Sequence, residues 1–207
     1  MKKLGIVALA AIMVMGLTFS AHAFQTINLA PAGEANLWDI INGWTTLTLS
    51  QNDLQNATVL ETLPDGSYTL LNWAKASAFS QTLDVPSQNL LNLPTSPTNQ
   101  SGFSGTTFIE PASFGFSDTP DGLAAKTTQN QNGVGNQSSG FIFDLGQFDA
   151  AYAGQYIVAF EDGSNSQPYG DSDYNDMVAQ VVPVPPSVLL LSSGLLGLVA
   201  WRRRFIS

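Results

Sequence analysis

Apolar positions along this chain come in short clusters, cut apart by Gly, Pro, Asn and Asp, with one long apolar run at each end. Near the start, Leu37, Ile40 and Ile41 stand at i, i+3 and i+4, and Gly43 offers a stop, so the spacing predicts a helix over 34–43. After it the period changes. Leu47 and Leu49 alternate with Thr46, Thr48 and Ser50, which predicts an extended segment over 44–50. Further short strands are predicted over 67–73, following a Pro64-Asp65-Gly66 turn, and over 76–83, 88–93, 106–109, 113–117, 140–145, 155–160 and 176–182. The stretches 95–105 and 127–139, rich in Asn, Gln, Ser and Gly, read as loops. Many short strands at close spacing, with no regular alternation of strand and helix, predict an all-β fold. The expected form is an antiparallel β-sandwich or jelly-roll-like domain with a short N-terminal helix.

The end runs differ from this pattern. Lys2 and Lys3 precede an apolar stretch over 4–19, and Ala21-His22-Ala23 has the small-x-small form of a cleavage site. Residues 1–23 therefore read as a secretory signal peptide, with signal peptidase as a processing partner. At the other end Pro183, Pro185 and Pro186 precede an apolar stretch over 188–201, and Arg202, Arg203 and Arg204 follow it. As a helix that stretch would span about 21 Å, short of a bilayer core of about 30 Å. The arginines place its end in the cytoplasm. The expected organisation is a signal peptide (1–23), a secreted domain (24–182) and a tail (183–207) with a transmembrane helix.

Charge narrows the chemistry. The chain has 16 acidic residues, and all of them fall within 24–182. Lys75 and Lys126 oppose them there, giving the segment a net charge of about −14, which disfavours nucleic acid and anionic membrane as partners and favours cations. The chain has no cysteine and one histidine, His22, which lies in the signal segment. A Ser-His-Asp or Cys-His mechanism is thereby excluded from the expected mature domain.

The acids crowd before the tail. Asp171, Asp173 and Asn175 match the first ligand positions of an EF-hand loop, but Asp176 stands where that loop needs Gly and Val182 where it needs Glu. Glu161 and Asp162 end the strand before this stretch, and a hairpin between 155–162 and 176–182 would bring Asp162 beside Asp171 and Asp173. Glu161, Asp162, Asp171, Asp173, Asn175 and Asp176 are the expected metal ligands. No Lys or Arg lies between Lys126 and Arg202 to neutralise them. Calcium is favoured by the all-oxygen donor set, and zinc is disfavoured by the lack of His and Cys. Asp118, Pro120, Asp121 and Gly122 form a second, weaker acidic turn. No catalytic residue is expected. A carboxylate-based hydrolase remains the rival reading, with Trp38, Trp44, Trp73, Tyr152 and Tyr169 available to line a sugar groove.

The tail resembles the PEP-CTERM sorting signal. The resemblance is carried by Val182-Pro183-Val184-Pro185-Pro186-Ser187, the apolar stretch and the arginine cluster, with Val184-Pro185-Pro186 in place of Pro-Glu-Pro. It implies export in a Gram-negative bacterium and an inner-membrane-anchored intermediate. It also implies an exosortase-type sorting enzyme as partner, and association with exported polysaccharide or biofilm matrix at the cell surface. Leu37 to Gly43, Ala74 to Gln81 and above all Phe160-Glu161-Asp162 with Gly170-Asp171-x-Asp173-Tyr174-Asn175-Asp176-Met177-Val178 are similar to a domain of unknown function in secreted bacterial proteins. That similarity implies a β-sandwich with a cation site. A self-assembling matrix component is a further alternative.

Overall fold

The structure, a computed structural model, describes residues 27–120, 125–128, 140–161 and 173–184. The signal segment and the tail from 185 onward lie outside them. Among the described residues no helix is long and apolar enough to cross a membrane.

Among the described residues two α-helices come first, α1 (Leu37–Trp44) and α2 (Gln51–Gln55). Ten strands follow: β1 (Val59–Leu60), β2 (Gly66–Lys75), β3 (Gln81–Val85), β4 (Gln88–Leu93), β5 (Gln100–Glu110), β6 (Ser117–Asp118), β7 (Lys126–Thr127), β8 (Gly140–Asp144), β9 (Tyr156–Phe160) and β10 (Met177–Pro183). They form two antiparallel sheets. One has six strands in the order β1-β8-β9-β10-β2-β5, the other four in the order β4-β3-β6-β7.

The sheets pack face to face. Tyr68, Leu70, Phe108, Ile142, Val158, Phe160, Met177, Ala179 and Val181 of the larger sheet share one core with Leu83, Val85, Leu90 and Leu93 of the smaller. Phe114 and Phe116 close it, with their ring centroids 5.4 Å apart. Strands β8, β9 and β10 are buried on both faces, which is why they read as nearly continuous apolar runs. Along β9, Val158 and Phe160 enter the core between the sheets. Ile157 and Ala159 enter a second core on the opposite face. There α1 lays Leu37 and Ile41, one helical turn apart, on Phe141, Phe143 and Val178.

The helix and the hairpin of β9 and β10 fall where the sequence places them, and β4 matches 88–93. Other expectations need correction. Residues 44–50 are not a strand: Trp44 ends α1, and Ser50 caps α2 in a capping box with Asp53. The strand expected over 76–83 starts only at Gln81, because Ala76 to Ser80 turn away to carry the chain to the other sheet. The expected loop 95–105 gives its second half to β5, whose ladder with β2 reaches Gln100. Phe114 makes an isolated bridge with Leu63, so 113–117 is not a continuous strand. Thr127, expected in a loop, pairs with Ser117. Pro183, expected in the tail, ends β10 opposite Tyr68, and Val184 N–H donates to Ser67 O at 2.8 Å.

Candidate metal centre

The β9–β10 register fixes the site. Phe160 pairs with Met177, so Glu161 leaves β9 where Asp176 enters β10. Between Asp173 and Asp176 the chain makes a tight turn in which Tyr174 has φ 58°, the left-handed region that bulky residues avoid at a cost of order 1–3 kcal/mol. Several contacts hold that turn. Tyr174 N–H donates to Glu161 Oε2 at 3.1 Å, and Asn175 N–H donates to Asp173 Oδ1 at 3.3 Å. The Tyr174 ring lies against Phe141, centroids 4.4 Å apart. Burial, and secondarily the charge of Glu161, pushes the Tyr174 phenol well above the usual tyrosine value.

Asn175 ties the turn to the rest of the fold. Its Nδ2 donates to Ala35 O at 2.9 Å, just before α1, and its backbone oxygen accepts from Ala76 N–H at 3.2 Å, just after β2.

The result is a compact oxygen cluster. Glu161, Asp173 and Asp176 each offer a carboxylate oxygen within 4.8 Å of the others. Glu161 is 2%, Asp173 1% and Asp176 9% exposed. Three carboxylates drawn this close and this far from water repel strongly in the ionised form. Asn175, fully buried in the same turn, has a carboxamide oxygen for which no hydrogen-bond partner is present. A buried acceptor left in this state costs about 1–3 kcal/mol. The donors are all hard oxygens, which fits calcium or magnesium; no sulfur or imidazole ligand is present for zinc.

Three of the six expected ligands, Glu161, Asp173 and Asp176, therefore come together, and Asn175 lies in the turn between the last two. Asp162 and Asp171 lie outside the described residues. Asp118 does not join them: it is buried in β6 and pairs with Leu83 on one side and Lys126 on the other. Lys75, counted in the sequence only for its charge, ends β2 beside β10, and its buried ammonium donates to Ser77 O at 2.7 Å and Thr95 O at 3.3 Å. Ala76, its neighbour, is the residue bonded to Asn175.

Beside this turn lies an open cleft of about 440 Å³ between α1 and the ends of β2 and β5. Ala35 and Ala76, which hold Asn175, both line it, as do Trp44, Asp39 and Gln100.

No family model matches the chain, and no curated protein matches it.

Proposed function

We propose that this chain is an exported cell-surface or extracellular-matrix protein whose jelly-roll-like domain is fastened by one structural calcium ion. The observation that carries the calcium reading is the buried group Glu161, Asp173 and Asp176, whose carboxylate oxygens lie within 4.8 Å of one another, with the unpartnered carboxamide oxygen of Asn175 in the same turn. The ion would link the end of β9 to the start of β10, and through Asn175 the segments before α1 and after β2. Its role is to hold a strained turn rather than to activate water.

Export and sorting rest on the two ends of the sequence: signal peptidase would remove 1–23, and an exosortase-type enzyme would act at the proline motif. The final location would be the cell surface or the polysaccharide matrix.

Calorimetry of the full chain tests the ion. Calcium is expected to raise the melting temperature of the wild type and to leave that of Asp173→Ala/Asp176→Ala unchanged. An equal response, or none in the wild type, would overturn the reading. Mass spectrometry of the extracellular protein tests the sorting. Peptides beyond Ser187 are expected to be missing, and recovery of Arg202 to Arg204 outside the cell would count against processing.

A further inference from the structure

The cleft between α1 and the ends of β2 and β5, about 440 Å³, lies within the range of ligand pockets, about 300–1,000 Å³. Ile40 and Trp44 of α1, with Ala74 of β2, give it an apolar wall, and Asn99, Gln100 and Ser101 give it a polar one. The two amides are already held. Asn99 Nδ2 donates to Gly33 O at 3.2 Å, and Gln100 Nε2 donates to Pro97 O at 2.6 Å. Among the described residues, the amide oxygens of both take no hydrogen bond. A lining of fixed acceptors suits a ligand rich in hydroxyl donors. The walls are fixed as well, because Ala35 and Ala76, which line the cleft, are each hydrogen-bonded to Asn175.

The surface beside the cleft continues this pattern. Phe103 stands two residues after Ser101, so it points to the same side of β5, and it is 69% exposed. The ladder with β2 then skips Ser104 and Gly105, and Gly105 has φ 71°. This bulge bends the strand and blunts its edge against pairing with another strand. A Cβ at position 105 would stand 3.1 Å from the Phe103 ring, so the ring lies along the strand over a glycine. An exposed ring beside a cleft with held polar groups has the composition of a ligand groove.

We propose that the cleft and Phe103 together bind a glycan that carries no acidic groups. A sugar ring presents C–H bonds on its faces, which pack on an aromatic ring, and hydroxyls around its rim, which donate to the held amide oxygens. The acidic excess of residues 24–182, with Asp39 at the cleft itself, repels glycans bearing carboxylates or sulfates. The proposal rests on the matrix location proposed above and names what the domain holds there.

The test is native electrophoresis of the full chain through gels containing dextran, hydroxyethyl cellulose or glycol chitin, which are uncharged, or alginate, which is acidic. Retardation by at least one of the uncharged glycans is expected, and none by alginate. Phe103→Ala and Ser101→Glu should each reduce the retardation several-fold while keeping the wild-type melting temperature, since both positions are exposed. Free migration in all three uncharged gels, retardation by alginate, or wild-type retardation of either variant would each overturn the proposal. Location is read separately, by fractionating cells. A protein recovered from the matrix that migrates freely would remove the glycan cleft and leave the matrix reading standing. Retardation of a protein found only inside the cell would remove the matrix reading and support the cleft.

Discussion

Tyr68 is both a core residue and a hydrogen-bond donor. Its ring stacks on Phe108 with centroids 5.8 Å apart, and its hydroxyl donates to Pro64 O at 3.1 Å, closing the turn that opens β2. Burial, then the charges of Tyr156 and Asp65, pushes its phenol up to about 12. The fold therefore keeps a proton that the unfolded chain gives up near pH 10. Between these values the folded state binds more protons than the unfolded one, so stability falls as pH rises. The melting temperature should hold steady up to about pH 10 and then decline towards about pH 12. Tyr68→Phe should lose about 1 kcal/mol at neutral pH with its hydrogen bond, and should decline less steeply with alkali. Equal slopes for the two proteins in a pH series of thermal melts would remove Tyr68 as the cause. The Tyr174 phenol is raised in the same direction, so some decline should survive in the variant.

How far the sequence reveals an element depends on what that element needs from its side chains. β8, β9 and β10 are sandwiched between two cores, and burial on both faces demands an apolar run that is visible at once. The β9–β10 hairpin was legible for that reason, and with it most of the carboxylate cluster, because residues at a hairpin's loop end are brought together by pairing alone. β5 hid half of itself. As an edge strand it buries little, so Ser101 and Gly102 pair with β2 without apolar side chains, and the ladder skips Ser104 and Gly105 at a bulge. β1 and β7 are two residues long and have no period to detect. α2 was missed although its signal was present: Ser50-x-x-Asp53 is a capping box, with Ser50 N–H donating to Asp53 Oδ2 at 2.8 Å. The alternation of Leu47 and Leu49 was read past that signal as a strand. The order of strands in the sheets was not legible, and that order is what carries the end of β2 to the carboxylate cluster and β5 to the rim.

At the scale of the whole molecule two electrostatic effects overlap, and they can be separated. The acidic excess of residues 24–182 repels itself diffusely, whereas the carboxylates of Glu161, Asp173 and Asp176 repel at one point. Monovalent salt acts on the first. Raising ionic strength from about 0.01 to 0.15 M shortens the screening length from about 30 to 8 Å, which weakens repulsion between exposed acids but reaches buried ones poorly. Calcium at about 1 mM barely changes the screening length, so what it does must come from binding. A ligand at 100 times its dissociation constant stabilises by about 2.7 kcal/mol, worth roughly 5–10 °C in a domain of this size. In low salt, sodium chloride should therefore raise the melting temperature gradually and without saturation. Calcium should add a further, saturable rise that persists at about 0.15 M sodium chloride and is reversed by a chelator. If the calcium increment vanishes once salt is present, the ion acts only as a counterion to the surface. In that case the turn at Tyr174 is held by its own hydrogen bonds and packing.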